Sequence, residues 1–493
     1  MTRFCHARLL LLIICILART QAYAIETTPS ATDTSAVKQK LLESIQVDRA
    51  GDQRPPNIVV ILADDLGYAD IGCYGSKEIA TPYIDSLARD GLRCTEGYVT
   101  AGTCSPSRAG LLSGCYQHRF GFEFNCNAAA SRKDPATVGL DPNVPTIADV
   151  LKRASYATGI CGKWHVGFHE HHHPLSRGFD EFFGFLSGAH QFLPAEARGT
   201  RIAADTEEGV SNGIFRGTHS VAEPAYLTEA FARESVSFIE RHAQQPFFLY
   251  VPFNAVHTPF QTTDKYSQRF SHIQDERRRV YYAMTSALDD AVGEILAALK
   301  KHSLEENTLV VFLSDNGGPT YTGVQSNGPL RLGKLFLFEG GVRVPFVVRW
   351  PAQLKGGRTY GEPISALDLL PTFAEAAGAR LPKELRLDGE SLLPYLRDEK
   401  TGAPHELLCW RNGTNHAVRK GNWKLVQAGD KVWLFDLSKD IGEANNLADS
   451  LPEVVAELQK AFESWSQEMK PAAWPSRPGK AIEVDGVPYK IQI

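Results

Sequence analysis

Two short apolar runs that end in acidic residues constrain this chain more than any other feature. Ile58-Val59-Val60-Ile61-Leu62 leads into Asp64-Asp65, and Leu309-Val310-Val311-Phe312-Leu313 leads into Ser314-Asp315-Asn316-Gly317-Gly318. Five apolar residues without polar alternation read as strands buried on both faces, as in the parallel sheet of an α/β protein. In such sheets ligands collect in the crevice outside the strand C-termini, so the acidic pairs stand where binding occurs. Asp64, Asp65, Asp315 and Asn316 then offer four hard oxygen donors, a set that suits calcium or magnesium better than zinc. Either pair alone is equally a helix cap or a turn.

The rest of the chain supports the same architecture. Helical patterns over Pro82–Asp90, Ser105–Ser113, Pro145–Ala154, Leu227–His242 and Asp275–His302 alternate with strands at 57–62, 247–252 and 308–313. Strand–helix alternation of this kind predicts an α/β sandwich, a large mainly parallel sheet covered by helices. From about Ala403 the texture changes to short strands at 415–426 and 431–437 and a helix at 452–469, which predicts a smaller C-terminal α+β domain. The Pro-rich stretch 471–478 reads as a tail.

Met1 to Ala24 has the layout of a secretory signal. Arg3 and Arg8 precede the apolar run 9–17, and Ala22-Tyr23-Ala24 fits a cleavage site. The expected product is exported, periplasmic or secreted, without a membrane anchor after cleavage. Four regions follow: signal 1–24, a poorly packed leader 25–54, a large α/β domain 55–400, and a C-terminal subdomain 401–493. Net charge is -5 over 493 residues, which argues against general nucleic-acid binding and requires any anionic substrate to be met by a local cluster of cations. Seven cysteines remain after the signal. If Cys104 is modified, six are left, a number that permits disulfides without requiring them.

Cys104-Ser105-Pro106-Ser107-Arg108 resembles the segment in which sulfatases oxidise a cysteine to formylglycine. Asp64-Asp65-Leu66-Gly67-Tyr68, Gly162-Lys163-Trp164-His165, Asn254 to Pro259, Asp315 to Gly318, and Lys334 with Glu339 to Pro345 accompany it in the order found in that family. The chain therefore resembles a type I, formylglycine-dependent sulfatase of the alkaline-phosphatase-like superfamily.

The resemblance implies one calcium ion held by Asp64, Asp65, Asp315, Asn316 and the modified Cys104, whose hydrate would attack sulfur. Oxidation of Cys104 would need a formylglycine-generating maturation enzyme as a partner. A nucleophile at a helix N-terminus is well placed for an anion, because free amides and the dipole favour negative charge there. Arg108, one turn in, would contact the hydrate or the sulfuryl oxygens. Lys163 and His165, two apart, would share a face of an extended segment and one anion, with His165 as base. His257 and Lys334 would approach the leaving oxygen. His173, His190, Arg216 and His416 are further pocket candidates.

Two departures from the family pattern stand out. Leu332 occupies a position that is glycine in many relatives, and His169-Glu170-His171-His172-His173 is an insertion. Adjacent histidines read as a solvated patch ahead of a second metal site. The expected substrate is a sulfated carbohydrate. A phosphate or phosphonate monoester hydrolase of the same superfamily is the nearest alternative, and a non-catalytic glycan binder is a third.

Overall fold

The computed structural model describes residues 36–48, 54–202, 210–211 and 213–493; the signal segment 1–24 lies outside the described residues. An eleven-stranded sheet forms the centre. Its strands are β1 (Asn57–Ala63), β2 (Leu92–Tyr98), β3 (Ala157–Lys163), β4 (Glu181–Phe185), β5 (Ile214–Arg216), β6 (His219–Val221), β7 (Phe247–Pro252), β8 (Thr308–Ser314), β9 (Arg343–Arg349), β10 (Arg358–Tyr360) and β11 (Ile364–Ser365). The order is β6-β5-β4-β3-β7-β1-β8-β9-β2-β10, with β11 also on β2. Strands β4, β3, β7, β1 and β8 are mutually parallel. Antiparallel pairings β4–β5 and β8–β9 bound this block, so the sheet is mixed around a parallel middle.

The apolar runs build two cores at once. On β1, Val59, Ile61 and Ala63 pack to one side, while Ile58, Val60 and Leu62 pack to the other. Side-chain alternation along a strand produces this split, and burial on both faces explains why the runs carry no polar positions. Helices α1 (Pro82–Asp90), α4 (Leu227–His242) and α5 (Glu276–Lys301) cover the first face. Helices α2 (Cys104–Ser113), α3 (Ile147–Arg153) and α6 (Leu369–Ala376) cover the second.

The C-terminal unit is a four-stranded antiparallel sheet, β12 (Leu407–Asn412), β13 (Asn415–Lys420), β14 (Trp423–Ala428) and β15 (Lys431–Asp436), followed by α7 (Pro452–Ser466). One face of this sheet, with Trp410, Val426 and Trp433, packs on Phe336 and Phe338 of the larger domain. The other face packs on α7 through Leu458 and Trp465.

Two sequence expectations change here. The stretch after Pro471 is not a tail: Trp474 is buried with its ring 4.8 Å from Phe122, and Pro478–Val484 pairs with Val487–Gln492 as a hairpin. Leader residues 36–48 are packed as well. Lys38 is buried in an ion pair with Asp149, and Gln46-Val47 pairs with Ala379-Arg380.

Candidate active site

The four adjacent parallel strands β3, β7, β1 and β8 deliver their C-terminal ends to one place. Beyond β1, the Asp64 amide bonds the Ala255 carbonyl, and the Asp315 amide bonds the Ala63 carbonyl. These bonds extend the sheet register past the strand ends, so the two acidic pairs meet by sheet geometry. Asp65 then turns with φ +63, a left-handed conformation costly for a non-glycine residue and typical of functional sites.

Among the described residues, Asp64, Cys104 and Asp315 bring one ligand atom each within 4.8 Å of one another, and so do Asp64, Asp65 and His257. Asp64 Oδ1 and Asn316 Oδ1 are buried without a hydrogen-bond partner. Buried acceptors left so are rare, and oxygen atoms of this kind fit a hard cation. Asp315 points the same way. Burial, reinforced by Asp64, raises its pKa against the pull of Arg108, Lys163 and Lys334. The set Asp64, Asp65, Asp315 and Asn316 therefore fits calcium or magnesium, with position 104 beside it.

Cys104 opens α2 and is 2% exposed. Its thiol is pushed up to about 11 by burial, with Lys163 and Lys334 acting in the opposite direction. Asn125, which no sequence motif marks, accepts the Ser105 amide at 3.2 Å and brings Nδ2 to 4.0 Å from Cys104 Sγ. Arg108 is fully buried. Its Nη2 lies 2.7 Å from Asp315 Oδ2, and its Nη1 donates to the Lys163 carbonyl at 3.0 Å, so it ties Asp315 to the end of β3.

Lys163 ends β3, and its Nζ donates to Asp64 Oδ2 at 2.6 Å. His165 joins it by a turn, not by the pleat expected from the sequence, because His165 takes φ +59. The turn is pinned to α2, since Ser105 Oγ donates to the His165 carbonyl at 2.6 Å. Burial, followed by Lys163, Arg108, Lys334 and His257, holds the His165 imidazole well below its ordinary pKa. A neutral ring results, able to accept a proton. Lys334 Nζ donates to Asp65 Oδ2 at 2.9 Å, and His257 Nε2 lies 3.5 Å from the same oxygen. His257 Nδ1 lies 2.6 Å from the Thr258 carbonyl, which accepts its proton and turns Nε2 toward the cluster.

The four outer candidates fare differently. His190 belongs to the segment that walls His165: a Cβ on nearby Gly188 would come within 2.8 Å of the His165 ring. Its own ring lies 5.1 Å from Phe185. The other three are engaged by partners of their own. Arg216 is level with Phe183 on β4, short of the strand end, and is held by Glu234 of α4 at 2.7 Å through both terminal nitrogens. His416 stacks on Phe462 at 3.9 Å under α7. His173 is buried against Phe182, with Nδ1 accepting the Leu175 amide.

The histidine insertion is likewise no solvated run. His172 is buried between Gly139 and Gly167, where a Cβ on either would come within 2.4 Å of it, and its carbonyl accepts the Trp164 indole N–H. His169, Glu170 and His171 stay partly exposed. All seven described cysteines are free thiols.

The sulfatase family model matches residues 56–379. The chain belongs to the sulfatase family. This sulfatase also matches the model described as N-sulphoglucosamine sulphohydrolase, C-terminal, over residues 331–468, so that the matched unit begins just upstream of Lys334. It is 32% identical to the steryl-sulfatase of Mus musculus, the match covering 85% of this chain and 83% of that protein. It is 30% identical to the N-acetylgalactosamine-6-O-sulfatase of Bacteroides thetaiotaomicron, covering 86% and 95%. The crystal structure of Ps i-CgsB in complex with k-i-k-neocarrahexaose superposes with a TM-score of 0.79 at 36% identity, covering 85% of this chain and 95% of that one. The sulfatase is a sulfuric ester hydrolase of α/β fold with a smaller C-terminal antiparallel sheet domain.

Proposed function

We propose that this enzyme is exported and hydrolyses sulfate monoesters on a carbohydrate, using formylglycine made from Cys104 by a maturation enzyme and one calcium ion. The observation that carries this reading is the grouping of Cys104 with Asp64 and Asp315 at the opening of α2, ringed by Lys163, His165, His257 and Lys334. Asp64, Asp65, Asp315 and Asn316 would hold the ion, which when bound supplies positive charge beside position 104 and the sulfuryl oxygens. Formylglycine at position 104 supplies, as its hydrate, the attacking hydroxyl.

The chain's own residues supply the remaining steps. Lys163 and Lys334 bring fixed positive charge to an anion in a buried site, where it is worth more than in water. Neutral His165 takes up a hydroxyl proton at Nδ1 or Nε2, and its Nδ1 is buried without a partner. His257 and Lys334 face the leaving side and donate to the bridging oxygen, a contribution of about 10²–10⁴ when the leaving group is an alkoxide.

A carbohydrate substrate is supported by the named action of the Bacteroides thetaiotaomicron relative and by the oligosaccharide in the superposed complex. The decisive experiment offers sulfated oligosaccharides, a steroid sulfate, an aryl sulfate and an aryl phosphate to protein from a formylglycine-competent host. Sulfate release from an oligosaccharide supports the reading. Preference for the steroid sulfate overturns the carbohydrate assignment, and preference for the phosphate overturns the reaction assigned to the site. Export is supported by the layout of residues 1–24, and is tested by locating the mature N-terminus in culture fractions.

A further inference from the structure

Lys334 lies on a loop whose two ends are gripped by one residue of the C-terminal subdomain. Arg331 Nη1 donates to the Glu443 carbonyl at 2.8 Å, and the Glu339 amide donates to Glu443 Oε2 at 2.7 Å. The Gly340 amide closes the loop onto the Arg331 carbonyl at 2.9 Å. Between these points the Lys334 amide reaches Gly318, and the Leu335 amide reaches Gly102, two residues before Cys104.

Two buried carboxylates side by side need a cation, and the C-terminal sheet provides it. Lys424 of β14 is fully buried; its Nζ donates to Glu339 Oε1 at 2.7 Å and lies 3.4 Å from Glu443 Oε1. Burial works against ionised Glu339, but Lys424, Arg343 and Arg419 overcome it and hold its pKa below the ordinary range. Glu443 is shifted the other way, chiefly by burial. Phe338 of the same loop packs its ring 5.4 Å from Trp433, adding an apolar clamp beside the polar one.

From this geometry we infer that Lys424 and Glu443 are positioning residues for Lys334: the C-terminal subdomain sets the active-site lysine through Glu339 without touching substrate. The inference rests on the proposed leaving-group role of Lys334. A lysine displaced by about an ångström loses the alignment on which proton donation depends, and such displacements cost up to about 10²-fold. A poor leaving group needs the proton more, so the loss falls mainly on alkyl sulfates.

The test uses full-length Lys424→Met, Glu443→Gln and Lys334→Ala, each double combination with Lys334→Ala, and two substrates, a sugar sulfate and 4-nitrophenyl sulfate. Glu443→Gln keeps an oxygen for the Glu339 amide and serves if Lys424→Met does not fold. The expected result is a fall in kcat of about 10–100-fold on the sugar sulfate, a smaller fall on the aryl sulfate, and almost no further loss in the Lys334→Ala background. Losses that multiply with that of Lys334→Ala would overturn the inference. Lys334→Ala that harms both substrates equally would instead overturn the leaving-group role, leaving the double variants to decide the positioning.

Discussion

Lys163 Nζ donates to Asp64 Oδ2 at 2.6 Å, and both side chains are wholly buried. The other carboxylate oxygen of Asp64 has no hydrogen-bond partner, although Arg108 Nη2 stands 3.7 Å away. One carboxylate thus joins Lys163 to the group of buried acidic side chains. Loss of either partner strands a buried charge, which is the costly way to break such a pair.

The cation should stabilise the fold as well as serve the chemistry. Asp64, Asp65 and Asp315 converge only in the folded chain, so bound calcium adds about 2.7 kcal/mol at a hundredfold excess over Kd. Chelation should lower Tm, calcium should restore it, and zinc should not. Asp315→Ala should abolish calcium binding and take from Arg108 its 2.7 Å carboxylate partner, leaving it only Asp64 at 3.7 Å, at a cost of roughly 3–5 kcal/mol read by urea unfolding. An unchanged Tm on chelation contradicts the oxygen cage.

Stability should also carry a signature of His405. Its Nε2 lies 2.6 Å from Asp368 Oδ1; burial lowers its pKa, but Asp368 outweighs that effect and leaves it above the ordinary value of 6.5. A pKa raised on folding gives stability that is fully present below about pH 6.5 and is lost as pH rises through the folded value. The destabilisation caused by His405→Gln, about 3 kcal/mol at acid pH, should therefore shrink toward pH 9. A pH-independent difference would remove the ion pair from the account.

Leu332 stands where the backbone conformation favours glycine. It has φ +59, where a β-carbon costs about 1–2 kcal/mol and glycine costs nothing. Its side chain recovers part of that cost by packing against the Phe336–Phe338 cluster. Leu332→Gly should melt within about 1 kcal/mol of the parent, while Leu332→Val, β-branched at a positive φ, should melt clearly earlier. The same order of stability in reverse would show that packing, not backbone, decides this position.

The parallel middle of the sheet was legible because burial on both faces writes an unbroken apolar run, and strand-end carboxylates mark the edge where ligands gather. Helix spans such as Leu227–His242 agree because their apolar periodicity is strong. What the sequence hid depends on long-range packing. Pro471 to Pro478 looks like a tail until Trp474 is seen against Phe122, and the histidine insertion looks solvated until Gly139 and Gly167 make room for His172. Arg216 and His416 are pocket candidates by residue type alone; their partners, Glu234 and Phe462, are distant in sequence. Asn125 and Lys424 gave no local signal, since each matters only through what folding brings beside it.

On the mechanism proposed here, turnover depends on an aldehyde at position 104. The most direct measurement is peptide mass spectrometry of residue 104 in protein fractions of graded maturation, set against kcat for sulfate release from each. Turnover should rise in proportion to the formylglycine fraction and vanish in Cys104→Ala with the fold retained. Full turnover from protein carrying only the unmodified Cys104 thiol would contradict it.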